Sequence, residues 1–298
     1  MFDIIGKYKL WFSLSILSIV LGMVAIGIWG LKFSLDFTGG SLMELRFNDG
    51  RPNTEEISTI LQANGLEQSQ IQPSGEQDYL IRSESIDETK HQTVLKAVKD
   101  GTKKDITELS FQSIGPTIGK ELQSKSIWSI LIVILAIISY IAFAFRHVSK
   151  PVASWKYGAA AVIALVHDLL TAIGIYAIAA HFMHWEVDGL FITALLTILG
   201  FSVHDTIVTF DRTRELLRRT SSTDFAQTVN EAINQTIVRS LNTSITALLT
   251  LTAIFLFGGE STRHFIFTLI VGIIIGTYSS IFVASPIVVL WSRLQKKA

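Results

Sequence analysis

The stretch Gly189–Phe210, GLFITALLTILGFSVHDTIVTF, decides the fold, because it is an apolar run that carries a histidine and an aspartate side by side. A helix needs about 20 mainly apolar residues to cross a bilayer. A charged carboxyl within such a run is costly unless it has partners. The stretch therefore predicts a membrane helix whose polar face packs against other helices.

The whole chain has the composition of a membrane protein. Of its 298 residues, 49% are hydrophobic and 17% are charged, below the roughly 25% charged residues of soluble domains. The absence of cysteine from the sequence excludes disulfides, thiolate metal sites and cysteine nucleophiles. Six segments are long enough to span a bilayer: Leu10–Leu31, Ile127–Phe145, Tyr157–Ala180, Gly189–Phe210, Ser240–Gly258 and Phe265–Ser292. The last is long enough to be tilted, or kinked near Pro286.

Basic residues alternate between the segments that connect these spans. They occur at Lys7 and Lys9, within 146–156 (Arg146, Lys150, Lys156) and 211–239, and in the tail at 293–297 (Arg293, Lys296, Lys297), whereas the short connections 181–188 and 259–264 contain only Arg263. Because positive residues are retained in the cytoplasm, both termini are predicted to be cytoplasmic. The first apolar run is too long for a signal-peptide core, so it is predicted to be an uncleaved anchor. The basic segment RELLRRT fits the same topology signal, and no nucleic-acid partner is predicted.

One large soluble region, 32–125, separates the first span, within 1–31, from the five spans of 126–298. Its pattern predicts strands at Ser41–Asn48, about Ser69–Gln72, Asp78–Ser83 and Asp105–Ile114, with helices at Asn53–Asn64 and Asp87–Lys99. The order βαββαβ suits a small ferredoxin-like α+β domain. By the topology above, this domain is periplasmic. The predicted fold is therefore an α-helical membrane protein with six transmembrane helices and a small periplasmic domain after the first.

Three spans carry polar faces that could converge inside a bundle. Asp168 lies near mid-depth of the third span, and helical spacing aligns Ser202, Asp205 and Thr209 on the fourth. The fifth carries Arg239, Thr243, Thr246 and Thr250 in a similar row. Arg239 is at the right depth to reach Asp205, and His204 is predicted to be a polar packing partner. Two interpretations stay open: a proton relay in which Asp205 changes charge beside Arg239, and a static buried pair that fixes helix register.

Two further motifs are structural in character. Gly272, Gly276, Ser280 and Ala284 form a row of small residues on the last span, a pattern that allows close helix packing. LDFTGG (Leu35–Gly40) holds Asp36, Gly39 and Gly40 just after the first span, where glycines permit a tight turn. It lacks the consecutive Lys-Ser/Thr pair of a phosphate-binding loop. No metal site is predicted.

Four stretches in order resemble signatures of the SecF family, within the resistance–nodulation–division superfamily. They are LDFTGG (Leu35–Gly40), GFSVHDTIVTFDRTRE (Gly200–Glu215), NQTIVRSLNTSITALLTLTAIFLFGG (Asn234–Gly259) and GTYSSIFVASPI (Gly276–Ile287). The resemblance covers the chain almost end to end. One departure is His204, where the family usually has asparagine.

This resemblance implies a non-enzymatic subunit of the bacterial inner membrane. SecF proteins work with SecD and use the proton gradient to assist late movement of exported, unfolded chains through the SecYEG channel. Asp205 matches the functional aspartate of the family's fourth span, Arg239 matches its fifth-span arginine, and Asp168 matches a third-span acid. No cofactor is implied beyond the coupling ion. Sodium remains an alternative to the proton, because the hydroxyls of Ser202, Thr209 and Thr246 could serve either ion; membrane lipid is an expected neighbour.

Three alternatives remain. A small-molecule antiporter of the same superfamily would use similar helices, but such proteins have larger periplasmic domains and usually twelve spans. An intramembrane aspartyl protease could pair Asp168 with Asp205. However, the Gly-x-Gly-Asp pattern of such proteases is missing, because Asp205 follows Ser202-Val203-His204. The third alternative is a passive scaffold of the translocation machinery.

Overall fold

A computed structural model describes residues 2–144, 152–219 and 224–295. The chain forms two compact units. One comprises the chain up to Lys32 and from Ile127 onward, and the other comprises Phe33–Ser126. The predicted end of the second span at Phe145 and the basic residues Arg146, Lys150, Lys296 and Lys297 lie outside the described residues.

Within the described ranges, six helical segments are long and apolar enough to cross a membrane, as predicted. They are α1 (Tyr8–Trp29), α5 (Pro116–Ala144), α6 (Ser154–Met183), α7 (Gly189–Arg219), α8 (Phe225–Phe257) and a last segment that contains α9 (Glu260–Ser279), a π-helical turn (Ser280–Ala284) and α10 (Ser285–Gln295). Together with the α+β domain described below, these helices confirm the predicted fold class.

Helices α6, α7 and α9 form the centre of the membrane unit. Half or more of the apolar window of each is buried, compared with 17% for α1, 11% for α8 and 6% for α5. Helix α1 crosses α6 where Gly22 meets Gly174, and a Cβ built on Gly174 would lie 2.4 Å from the Gly22 Cα. Two glycines therefore let these backbones touch, as small residues do at membrane helix crossings.

Helices α7 and α8 extend beyond the apolar spans predicted for them. The α7 helix continues past Phe210 to Arg219, where Asp211, Arg214, Glu215 and Arg219 form ion pairs at three- and four-residue spacing. Such pairs support a helix in water. Hydropathy delimits only the apolar part, so it missed these polar turns.

The last span contains a local irregularity at the place where a tilt or kink was predicted. A π-helical turn over Ser280–Ala284 precedes Pro286, and the Ser285 hydroxyl donates to the Ser280 carbonyl at 3.0 Å. Proline has no N–H and its ring disturbs the preceding turn. The wider turn absorbs this disturbance within a continuous segment.

The second unit contains a four-stranded antiparallel sheet. Its elements after α2 (Leu35–Thr38) are β1 (Gly40–Phe47), α3 (Thr54–Ala63), β2 (Gln70–Ser74), β3 (Asp78–Ser83), α4 (Glu88–Thr102) and β4 (Ile106–Ile114). The strand order β2-β3-β1-β4 is that of a ferredoxin-like split βαβ domain. Leu45, Phe47, Ile57, Leu61 and Val98 are fully buried in its core.

The LDFTGG motif forms a turn held against the start of α5. Ser34 caps α2 by accepting from the Asp36 amide, and Gly39 and Gly40 have φ of 69° and 117°. A Cβ on Gly40 would lie 2.7 Å from the Ser83 carbonyl oxygen. On the facing helix, a Cβ on Gly119 would lie 3.0 Å from the Gly39 nitrogen. The turn therefore requires glycine both for its backbone angles and for close approach.

We expect Gly119→Ala to destabilise the protein, because its new methyl group meets the backbone of the turn rather than a flexible side chain. Overpacking of this kind costs about 1–3 kcal/mol. Gly115→Ala is the matched control, since nothing lies within 4 Å of its Cβ position. Thermal unfolding of both purified variants checks this; equal melting temperatures would contradict it.

Candidate functional site in the membrane unit

The carboxylate of Asp168 is bonded by groups from three helices. It is 0% exposed. The hydroxyls of Ser202 on α7 and Ser279 on α9 donate to its Oδ2 at 2.5 and 2.7 Å, and His167 Nδ1 lies 2.9 Å from its Oδ1. Buried carboxyl groups need such donors, because an unpaired one is costly in an apolar environment. Asp168 therefore links α6, α7 and α9.

A second set of hydroxyls continues this contact along α9 and its π-helical turn. Thr206 and Ser280 share a hydrogen bond of 2.8 Å, and Ser280 also lies 3.1 Å from the Ser202 carbonyl as donor. The small residues predicted for packing lie here: a Cβ on Gly276 would sit 2.9 Å from Ser202 Cβ, and one on Gly272 would sit 2.1 Å from Ile198 Cδ1. Ala284 is fully buried.

Asp205 lies about one helical turn from Ser202 on α7. It is 3% exposed, and its carboxyl interacts with the hydroxyl of Ser240 on α8. Its Oδ2 has no hydrogen-bond partner among the described residues. Thr209, one turn further, lies 3.3 Å from Thr236 through their hydroxyl oxygens. The fourth-span polar face is thus buried, as predicted.

Among the described residues, Asp205 and Arg239 do not make the predicted contact. Arg239 is exposed, as are Thr243, Thr246 and Thr250. Thr243 and Thr246 donate only to carbonyls of their own helix, those of Arg239 and Asn242. The prediction that this stripe converges with Asp168 and Asp205 inside the chain is wrong.

The physical reason is that α8 carries two polar stripes at the same spacing. Thr236, Ser240 and Ser244 form the buried one, and Ser244 bonds to Thr277 of α9 at 2.5 Å. Helical periodicity cannot say which stripe faces the bundle. The small serines allow the closer helix approach, which favours them at the interface.

His204 is also placed differently from the prediction of a polar packing partner. It is exposed on α7, while its neighbours Val203 and Asp205 are buried. Consecutive residues on a helix point about 100° apart, so adjacency in sequence does not bring both side chains into one site. His204 lies outside the buried network.

Sequence reasoning missed the N-terminal segment that crosses α8. Asn230 accepts hydrogen bonds from the amides of Ile4 and Ile5, at 2.9 and 3.2 Å, and Asn234 accepts from the amide of Phe2 at 2.8 Å. Both asparagines also donate to the Phe2 carbonyl at 2.9 Å. The signal in the sequence was the spacing of the two asparagines, which lie four residues apart and therefore on the same face of α8.

At the opposite end of the bundle, Asp188 fixes the loop between α6 and α7. Its carboxylate lies 2.9 Å from His264 Nε2 on α9 and accepts from the Phe191 amide at 2.8 Å. Burial by itself would raise the pKa of Asp188, but the bonds from His264 and Phe191 outweigh it and hold that pKa below its ordinary value. The described residues contain no group of three acidic or histidine side chains that could hold a metal ion.

These features define a class: a multi-pass membrane protein with a ferredoxin-like domain after its first helix and two buried acids among its central helices. The model of the C-terminal family "Protein export membrane protein SecD/SecF" matches residues 93–294, and the SecD/SecF GG motif matches residues 24–50. The chain therefore belongs to the SecF family.

Relatives and a solved structure agree with this membership. The protein translocase subunits SecF of Anaerolinea thermophila and Thermobaculum terrenum are each 40% identical to this chain, across 98% of it and 94% and 95% of their own lengths. The crystal structure of SecDF from Thermus thermophilus, described as a translocon-associated membrane protein, is 30% identical with a TM-score of 0.80. The match covers 98% of this chain and 39% of that longer one.

We expect Ser279→Ala to lower the free energy of unfolding by about 1–3 kcal/mol, because it removes one donor from a buried carboxylate. Ser139→Ala is the control, since the Ser139 hydroxyl donates only to the Leu135 carbonyl of its own helix and is exposed. Denaturant unfolding in detergent micelles measures both. A loss of the same size in the two variants would contradict the role given to Asp168.

The depressed pKa of Asp188 predicts a pH dependence of stability. A carboxyl with a lower pKa in the folded state stabilises the protein above its unfolded pKa of about 3.9, and this contribution is lost as pH falls through the folded value. Asp188→Asn should therefore lower the melting temperature at pH 6, and its difference from wild type should shrink toward pH 3. A difference that is constant across this range would contradict the assignment.

Proposed function

We propose that this chain works with SecD to couple the proton gradient to the late movement of exported chains across or into the bacterial inner membrane. Membership of the SecF family supports the export role. The observation that carries the coupling is the environment of Asp205, which combines burial in a membrane-spanning helix with a carboxyl oxygen that has no hydrogen-bond partner among the described residues.

This environment suits a carboxyl that changes its charge. An ionised carboxylate in a membrane helix needs partners, and a neutral acid needs fewer. Asp205 interacts with one hydroxyl, whereas Asp168 has two hydroxyls and an imidazole. In the described chain no lysine or arginine forms an ion pair with Asp205, so no fixed counter-ion holds it in one charge state. Asp205 is the proton carrier, and Asp168 is a positioning residue.

Arg239 acts at the interface with SecD in this proposal. An exposed arginine on a membrane-spanning helix is costly against lipid, so this stripe calls for a polar or acidic partner from another chain. The adjacent residue, Ser240, is buried on the inner side of the same helix and interacts with Asp205. Protonation of Asp205 would change the field at α8 and so shift the contact between the SecD and SecF helices.

The remaining arrangement follows the family and the charge pattern. Both termini lie in the cytoplasm, and the ferredoxin-like domain lies in the periplasm, where it receives motion from the helices and acts on a chain leaving SecYEG. The proton is the coupling ion, with sodium as the alternative. Export measured at fixed membrane potential, with pH and sodium varied separately, distinguishes the two ions.

We expect Asp205→Asn to abolish gradient-dependent export in membrane vesicles that contain SecD and SecYEG, because the amide cannot bind and release a proton. Folding and SecD association should be retained, since Asn keeps the shape of the side chain. The assay compares the amount of an exported protein that is protected from protease with and without the proton gradient.

Asp211→Asn is the matched control. It makes the same chemical change on the same helix, at an exposed residue that pairs with Arg214, so export should remain gradient-dependent. Wild-type export by Asp205→Asn would contradict the relay and leave a passive scaffold. Proton-driven movement of small molecules in vesicles without SecYEG would instead favour an antiporter.

A further inference from the structure

An apolar groove of about 340 Å³ lies at the end of the bundle that carries the 184–188 loop. It runs between α6, α8 and α9 and is lined by Ala179, Met183, Trp185, Phe255, Leu256, Arg263 and Phe267. Aromatic rings form one wall, with centroids 5.3 Å apart for Trp185 and Phe267 and 6.4 Å apart for Phe255 and Phe267. Its size falls within the roughly 300–1,000 Å³ of small-molecule sites.

The groove faces away from the polar stripe assigned to SecD. Phe255 lies about two and a half helical turns beyond Thr246 on α8, which places the two side chains on opposite sides of that helix. Leu256 and Met183, on the groove, are each 62% exposed. This exposed apolar face at the end of the helices is therefore suited to contact with membrane lipid.

Arg263 makes the groove more than an apolar surface. It is the basic residue of the groove, and among the residues that the structure describes its guanidinium forms one ion pair, at 3.3 Å with the exposed Glu260. It lies near the start of α9, where the helix dipole disfavours a positive charge. Guanidinium groups bind phosphate oxygens with two parallel hydrogen bonds. Tryptophan at the same level suits the headgroup region.

The wall that carries Trp185 is held in place by other contacts. The loop amide of Val187 donates to the Lys32 carbonyl at 2.8 Å, Asp188 binds His264, and the Trp185 ring lies 6.5 Å from the His264 ring. The groove is thus built before a ligand arrives, which lowers the entropy cost of binding.

We propose that this groove binds one glycerophospholipid, with an acyl chain along Phe255 and Phe267 and the phosphate on the Arg263 guanidinium. This site is independent of the proposed proton relay. It would fix the ends of α6, α8 and α9 to the bilayer at the level of the headgroups.

Native mass spectrometry tests the site on the full chain purified with SecD, using dioleoyl phosphatidylglycerol and dioleoylglycerol as probes. We expect one tightly retained phospholipid and no retained dioleoylglycerol, which has the same chains without phosphate. Arg263→Gln should reduce retention about tenfold or more, the loss expected for hydrogen bonds to a charged group. Ala179→Phe, which fills the groove without changing a charge, should reduce it similarly.

Arg218→Gln is the charge-matched control. Arg218 is an exposed arginine at the end of α7 that is farthest from the 184–188 loop, so its loss should leave lipid retention unchanged. Wild-type retention by Arg263→Gln, or equal retention of dioleoylglycerol, would overturn the proposal. A second readout uses Leu256→Cys, a unique label site in this cysteine-free chain. A photoreactive label there should mark phospholipid in the SecD-containing complex; cross-linking to a SecD helix would overturn the lipid assignment.

Discussion

The membrane unit depends on the buried carboxylate of Asp168. Donors on two other helices reach one of its oxygens, so α6, α7 and α9 can slide past each other only if these bonds break. Gly276 makes this contact possible, because any side chain there would meet Ser202. The outer helix α8 then joins the centre through small hydroxyl residues, Ser240 toward α7 and Ser244 toward α9. A polar group that lipid cannot satisfy thus sets the register of the bundle.

Sequence periodicity predicted those features of the fold that depend on one segment alone. The six spans followed from apolar runs, and the order of strands and helices in the small domain followed from periods of 2 and 3.6 residues. The burial of Ser202, Asp205 and Thr209 followed from one face of one helix. The orientation of α8 could not be predicted in this way. Its two polar stripes, Arg239–Thr250 and Thr236–Ser244, are equally regular, and only packing against α7 and α9 decides which one is buried.

Contacts between segments that are distant in the sequence could not be predicted either. The two glycines of LDFTGG predicted a tight turn, but not that Gly119 of α5 would approach the Gly39 nitrogen. The N-terminal segment likewise packs on Asn230 and Asn234, more than 220 residues away. Polar residues at such places satisfy backbone groups of another segment, and a single sequence contains no record of which segment that is.

The two buried acids differ in the number of groups that hold them, and this difference supports the different roles that we propose for them. Protonation of Asp168 would require its serine and histidine partners to rearrange, which ties its charge state to the integrity of the bundle. Asp205 has an oxygen without a partner in the described chain and a single neighbouring hydroxyl on α8. Its charge can therefore change without breaking the centre. Arg239 is adjacent to Ser240 in sequence but is exposed on α8, on the surface that we propose SecD covers. A proton bound inside one chain would then act at the boundary between two chains, which is where a coupled movement has to occur.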